Sequence, residues 1–203
     1  ALALLLASCS VLSPTEDPTR HYLLKGVRTA RLSNHPDLVV LVGPVTIPGY
    51  LESKQITTSS GPNDLDLAEF HVWAEDLDRA VSRVVAENLS HLLGSPGIAP
   101  YPDADPPAHD FRCAIIVRRF EKGVDGQVHL EASYILSGPL GAELPPQTAS
   151  RSIATRIGDP TNHTSIADAM SRALSQFSRS VARSVLNRQH RRHQKPVSPD
   201  PVD

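Results

Sequence analysis

The chain has 203 residues, 20 Lys and Arg against 22 Asp and Glu, a formal net charge of −2, 40% hydrophobic residues and only 4% aromatic ones. That suffices for one domain with a core, and the charge lacks the basic excess that phosphate neutralisation demands, so no nucleic-acid partner is expected. Two cysteines cannot staple a disulfide scaffold, and no apolar run reaches the ~20 residues of a membrane-spanning helix.

The start of the chain carries the most specific signal. Ala1 to Ala7 is an apolar run of alanine and leucine, closing on Leu6-Ala7-Ser8-Cys9 and followed by the polar, proline-marked stretch Ser10 to Arg20. A short apolar region ending in small residues reads as the end of a secretory signal peptide. Leu-Ala-Ser-Cys resembles the bacterial lipobox, in which a cysteine thiol takes a diacylglycerol and becomes the new amino terminus. The alternatives are a secreted protein with an incidental cysteine, or a clipped buried helix. Cys9 is thus the expected lipidation site and membrane anchor. Ser10, where aspartate would signal inner-membrane retention, points to the outer membrane. Residues 1–8 then end the signal peptide and 9–20 form a lipidated tether.

Folded structure is expected from residue 21. His21 to Val27 can form a first short strand. Leu38 to Val42 is β-branched and continuous, as in a strand buried on both faces. It enters Gly43-Pro44-Val45-Thr46-Ile47-Pro48-Gly49-Tyr50-Leu51. Neither proline has an N–H to donate, so this segment is expected at an edge or in an extended loop rather than in a central ladder. Ile56 to Ser59 and the stretch from Leu65 to Trp73 read as strands around the turn Gly61 to Asp64. A first helix follows from the helical spacing of Leu77, Val81, Val84, Val85, Asn88, Leu89 and Leu92, stopped by Gly94 and Pro96.

The proline-rich Ser95 to His109 reads as a loop. A hairpin comes next, Phe111 to Phe120 and Val128 to Leu136 around Gly123 to Gly126, its return strand alternating apolar and polar residues. A last strand is expected near Thr148 to Ile157. A second helix is expected from about Ser165, with Asp168 three residues on in a capping-box-like arrangement. Its apolar stripe runs Ile166, Met170, Ala173, Leu174, Phe177, Val181 and Val185. The predicted fold is α+β: one domain, a largely antiparallel or mixed sheet with two long helices packed on it. Residues 189–203 read as a basic, proline-rich tail, and nothing past Asn187 is expected to support folding.

No catalytic set emerges. There is no His-Glu-x-x-His, Cys-x-x-Cys or Gly-x-Ser-x-Gly, and no glycine-rich loop ending in Lys-Ser or Lys-Thr. His190 and His193 could share a metal only on an extended helix, and a solvated tail is the simpler reading, so no metal site and no cofactor are expected. Asp103, Asp105, His109 and Asp110 sit among prolines and read as loop. Cys113, inside Phe111 to Val117, reads as a buried small hydrophobe. The chain is not expected to be an enzyme.

Leu41-Val-Gly-Pro-Val-Thr-Ile-Pro-Gly-Tyr-Leu51, Leu67-Ala-Glu-Phe-His-Val-Trp-Ala-Glu75 and Val84-Val-Ala-Glu-Asn-Leu-Ser-His-Leu-Leu93 occur in this order, with Tyr101-Pro102, Arg119-Phe120-Glu121, Asp125-Gly126 and Tyr134 after them. Together they resemble the PqiC-like ABC-type transport auxiliary lipoprotein family, over about Tyr22 to Leu186. Two departures occur. Thr57-Thr58-Ser59-Ser60 stands where the family often has an arginine, and Tyr134 stands where it commonly has tryptophan. The resemblance makes 21–188 the auxiliary domain of a lipid-anchored protein on the periplasmic face of the outer membrane. It implies a non-catalytic role in an MCE/ABC-type lipid transport system that maintains envelope integrity. The implied partners are an MCE-domain protein and associated inner-membrane components, with a homo-oligomer left open. A structural lipoprotein of an outer-membrane assembly complex, without lipid handling, is the competing reading. Pro48, Gly49, Tyr50 and Leu51 are candidate partner-docking residues or scaffold; Gly43, Pro44 and Trp73 are expected to be scaffold.

Overall fold

The structure, a computed structural model, describes residues 16–102, 108–139 and 145–194. Cys9, Asp103, Asp105 and the tail from Lys195 lie outside the described residues. Among the described residues eight strands form one mixed sheet and two long helices cover one face of it, the expected α+β arrangement.

The organising strand is β6 (Phe111–Lys122), and alternation explains why. Phe111, Cys113, Ile115 and Val117 are buried on one face while Arg118 and Ile116 stay exposed on the other. One edge of β6 pairs antiparallel with β7 (Gln127–Ser137) along nearly its whole length. β7 in turn pairs with β8 (Gln147–Arg156). The other edge of β6 is shared. β2 (Val40–Thr46) runs parallel to its first half, and β3 (Gln55–Ser59) touches its last residue, Lys122. The outer edge of β3 carries β4 (Leu65–Trp73), which carries β1 (Arg20–Tyr22). The outer edge of β2 carries β5 (Ile98–Pro100).

Pro44 lies inside β2 but beyond Val42, where the pairing with β5 ends, so its outer edge is free, as expected, and only β6 flanks it. The strand tolerates proline because the register with β6 breaks between Val42 and Val45, a bulge that needs no N–H at position 44. Gly43 takes φ +128° there, just before a cis Gly43-Pro44 bond, and a Cβ would meet that of Tyr101 at 3.0 Å, so glycine is required. The proline-rich loop, by contrast, hides β5, three residues too short for any periodicity to mark.

α1 (Leu77–Leu93) buries Leu77, Val81, Val84, Val85, Leu89 and Leu92, the expected stripe, and ends on Gly94 in the left-handed region. Asp76 occupies the cap position without a side-chain cap bond. Ser82 donates to the Val42 carbonyl at 2.7 Å, fastening the helix to β2 at its bulge. α2 (His163–Gln194) begins two residues before the expected Ser165. Asn162 Oδ1 accepts the N–H of Thr164 at 2.8 Å and of Ser165 at 3.4 Å, so asparagine caps this helix and Asp168 does not. Small residues let the helices approach: Ser178, fully buried, receives the Asn88 amide at 3.3 Å and donates to the Leu174 carbonyl. Tyr134 lies edge-on to Phe177, ring centroids 5.7 Å apart, and its hydroxyl bonds Ser184 at 2.8 Å. A half-polar aromatic is thereby satisfied inside the core.

α2 also runs to Gln194, past the expected boundary at 188. Arg188 is buried and donates to the Pro145 carbonyl at 2.7 Å, while Arg192 reaches Asp110 at 3.5 Å and lies over the Phe111 ring. These contacts tie the last turns to the start of β6 and the approach to β8. Truncation after Asn187 should therefore lower unfolding stability by about 2–4 kcal/mol, the worth of one buried charged hydrogen bond plus a half-exposed cation–π contact. Denaturant melts of the two chains check this, and an unchanged midpoint would return the segment to a solvated tail.

At the start of α2, the His163 imidazole stacks on His71 of β4 with centroids 3.7 Å apart, and Tyr22 of β1 bonds His71 Nδ1 at 2.7 Å. Burial, then His71 and Lys122, hold the His163 imidazole below its ordinary range. The unfolded chain consequently binds this proton more readily than the folded one. Stability should be full above about pH 6.5 and fall as pH drops from there toward the lowered folded value. His163→Asn should flatten that part of the profile in thermal melts, whereas an equally steep slope in the variant would exclude this residue as its source.

Candidate functional site: the open face of the sheet

The helices leave the second face of the sheet uncovered, and the expected docking segment lies on it. After Pro48 the chain makes a single 3₁₀ turn, Gly49–Leu51, closed by the Leu51 N–H on the Pro48 carbonyl at 2.9 Å. This turn separates its side chains by direction. Leu51 is only 3% exposed and belongs to the core, whereas Tyr50 stays half-buried and Gly49 exposed. Leu51 is therefore scaffold, and Pro48, Gly49 and Tyr50 are what the segment presents.

Tyr50 donates its hydroxyl hydrogen to Glu121 Oε2 at 2.8 Å. The same carboxylate is buried, takes the Phe120 N–H at 3.1 Å and pairs with Arg119. A bulge in β6 between Val117 and Arg119 makes this possible, because it puts Phe120 inside and turns Arg119 and Glu121 together onto the open face. Burial and the bond to Glu121 push the Tyr50 phenol above its ordinary range, and the Glu121 carboxylate does the same for the Arg119 guanidinium. The trio is neutralised and hydrogen-bonded, so it anchors the turn rather than supplying a free acid or base. The Arg119-Phe120-Glu121 motif was visible in the sequence. Its partnership with Tyr50, 71 residues away, was not.

Around the trio is an open depression of about 730 Å³. The turn from Gly61 to Asp64 and the turn from Gly123 to Asp125 form its walls, with Arg118, His129 and Glu131 on its floor. His129 bonds Asp125 at 3.0 Å and, with the Gln127 N–H, holds that carboxyl below its usual range. Beside it, β4 exposes a row of apolar side chains: Leu65 is 45% exposed, Leu67 49% and Phe70 43%. They share a face because the β3–β4 register breaks between Gln55↔Val72 and Thr57↔Leu67, adding residues that flip the alternation. A plain period-2 reading of Leu65 to Trp73 places Leu67 and Trp73 on the same face. In the structure Trp73 is buried and Leu67 is not.

The remaining expected residues are framework. Gly43 lies beneath Tyr101, whose ring carries the Arg112 guanidinium 4.2 Å from its centroid, and Arg112 Nε donates to the Gly43 carbonyl at 3.2 Å. Pro44 is exposed at the bulge, and Trp73 is buried, its N–H on the Lys54 carbonyl. Asp110 accepts the Val39 N–H at 3.0 Å, a structural role. Cys113 is fully buried, and burial pushes its thiol up to about 12. Such a thiol stays protonated and out of reach of solvent. Among the described residues no three His, Cys, Asp or Glu side chains are grouped to hold a metal.

A family model for the ABC-type transport auxiliary lipoprotein component matches residues 22–182. No curated protein is significantly similar to the chain. Among solved structures, protein XCC0632 from Xanthomonas campestris, of family DUF330, is similar with TM-score 0.66 and 18% identity, covering 86% of this chain and 100% of that one. The structure of an uncharacterized protein is similar with TM-score 0.66 and 17% identity, covering 82% of this chain and 98% of that one. At such identities these two likenesses speak to the fold, which they share with this chain. The family match spans every strand but the first two residues of β1, and most of α2. The chain belongs to the ABC-type transport auxiliary lipoprotein family.

Proposed function

We propose that this protein is a non-catalytic auxiliary component of an MCE/ABC-type lipid transport system, acylated at Cys9 and held on the periplasmic face of the outer membrane. In this reading the domain docks an MCE-containing partner through the open face of its sheet. The observation that carries it is the row Leu65, Leu67 and Phe70, about half exposed, whose first member lines the same depression as Tyr50. Apolar side chains next to a tyrosine held by a hydrogen bond form the kind of preorganised anchor that protein interfaces favour. The trio of Tyr50, Arg119 and Glu121 has its polar groups already matched, so docking need not desolvate a free charge. Pro48 and Gly49 offer backbone beside it.

Two measurements test the reading. Mass spectrometry of the native amino-terminal peptide should find Cys9 carrying acyl chains, and Ser10→Asp should move the protein toward the inner-membrane fraction. An unmodified Cys9 or cleavage elsewhere would sink the anchoring claim. For docking, Tyr50→Ala combined with Leu67→Glu should weaken capture of a purified MCE-domain partner at least thirtyfold, about 2 kcal/mol. Its unfolding midpoint should fall moderately, because Tyr50→Ala removes the hydrogen bond to buried Glu121 and some packing against the core, about 1–3 kcal/mol. Capture is therefore measured where the variant stays folded, and Leu67→Glu alone, at an exposed position, should leave the midpoint unchanged. Leu51→Ala is the contrasting control: it should cost about 2–5 kcal/mol of stability, as a core truncation does. Undiminished capture by a stable double variant would remove the docking claim.

A further inference from the structure

Charge is sharply segregated along this chain. Of its 20 Lys and Arg residues, seven lie between 169 and 199, a stretch without a single Asp or Glu, although the whole chain carries 22 of these. Helical geometry sorts the charges further. Arg172, Gln176, Arg179, Arg183, Asn187, His190 and Arg191 follow one another at spacings of three, four or one, and none of them is buried. They make a single stripe along the solvent side of α2, ~28 Å long from Arg172 to Arg191. At its start Arg172 donates to the Arg156 carbonyl at 3.0 Å and Gln176 to Thr155 Oγ1 at 3.4 Å, both on the edge strand β8.

The loop from Gly26 to Ser33 widens this stripe. It is strapped to α1: Val27 N–H to Asn88 at 2.9 Å, the Thr29 carbonyl to His91 at 2.7 Å, and Leu32 N–H to the Leu92 carbonyl at 2.8 Å. Arg179 donates to Thr29 Oγ1 and the Ala30 carbonyl, so loop and stripe are continuous. The loop contributes Arg28 and Arg31, both exposed. Acidic groups offset little of this. Glu75 and Glu87 are both engaged by Arg83, and Asp168 precedes the stripe by one turn.

We propose that this basic helical face rests on an anionic phospholipid surface and orients the domain against the bilayer. The apolar residues decide between a lipid surface and an acidic protein. Every large hydrophobic side chain that is exposed among the described residues, from Leu23 to Val124, lies on a strand, a turn or the β1 exit, and none on α1 or α2. Arginine can itself anchor a protein interface, but this face offers no exposed large apolar or aromatic side chain for the desolvated centre that a stable protein interface is built around. It suits headgroups, which attract each nearby basic residue with about 1 kcal/mol and require no complementary shape. The position of the anchor agrees, and here alone the inference rests on acylation of Cys9. β1 packs beside the start of α2, with Tyr22 and His163 ring centroids 6.3 Å apart and the Lys25 N–H on Ser171 Oγ at 3.1 Å. The twelve residues from Cys9 to Arg20, eleven Cα–Cα steps, reach at most ~40 Å, so the face lies within the span of the tether. The open sheet face would then point away from the membrane.

The test is flotation of the full chain carrying Cys9→Ser, which cannot be acylated, so the outcome is independent of lipidation. The apolar run of residues 1–8 is the same in every arm. Binding to phosphatidylethanolamine/phosphatidylglycerol vesicles should exceed binding to phosphatidylcholine vesicles at least tenfold at about 50 mM salt, and the excess should collapse near 300 mM. Arg28→Glu with Arg183→Glu and Arg191→Glu should abolish the excess at an unchanged melting temperature. If that triple variant is unstable, Arg183→Gln with Arg191→Gln should still reduce the excess severalfold. Equal binding to both vesicle types, or an excess indifferent to these substitutions, would overturn the proposal. Charge-dependent capture of an acidic protein without any vesicle preference would overturn it too, and assign the face to that protein.

Discussion

Everything in this fold hangs on the partition that β6 enforces. A strand that pairs on both edges must sort its side chains cleanly, because a one-residue slip would put its arginines into the core. Phe111, Cys113, Ile115 and Val117 face the helices, and Arg112, Arg118 and Ile116 face the other way. One bulge after Val117 then lets Phe120 re-enter the core while Arg119 and Glu121 meet on the open face. The strand is thus the floor of the core for α1 and α2 and also the support for the Tyr50 turn. β2 and β3 are successive pieces laid along its far edge, and the segment between them has to leave the ladder. The 3₁₀ turn at Gly49–Leu51 lies in that gap.

The same layout explains what could be read from the sequence. Long amphipathic segments were legible: both helices, the β6–β7 hairpin and the core stripe from Ile166 to Val185 follow from periodicity, since burial on one face leaves a regular imprint. Elements set by pairing alone left none. β5 is three residues inside a proline-rich loop, and it exists because β2 offers it an unpaired edge. Pro44 argued against a central ladder, and it sits past the end of β5 with β6 as its one neighbour, at a bulge that removes the need for its missing N–H. The extent of α2 was misjudged for a related reason. Past Leu186 its contacts are polar, Arg188 with Pro145 and Arg192 with Asp110, and polar contacts do not show in an apolar pattern.

The candidate site was half legible. Tyr50 and the Pro48–Leu51 segment stood out, but the direction of each side chain did not: consecutive residues of a 3₁₀ turn diverge, which sends Leu51 inward and leaves Tyr50 at the surface. The apolar row on β4 was hidden behind an irregular register with β3. The Tyr50–Glu121 bond joins positions whose proximity only the parallel approach of β3 to the end of β6 creates. Long-range pairing, not local propensity, makes this surface.

The two large faces differ in a way that limits what each can do. The open sheet face has the neutralised Tyr50–Arg119–Glu121 trio and exposed leucine and phenylalanine, so association at that part of it would be driven mainly by apolar burial and vary less with salt. The helical face has unneutralised arginines and no exposed apolar anchor, so whatever it meets is held by long-range charge and released as salt rises. A single domain with one face of each kind can meet two chemically different surfaces at once without competition between them. Because β6 and its helices form one packed core, turning one face toward a surface fixes the direction of the other. On the proposed reading, the bilayer at the helices would present the sheet to the periplasm, and the tether, emerging beside the start of α2, would leave that arrangement unstrained.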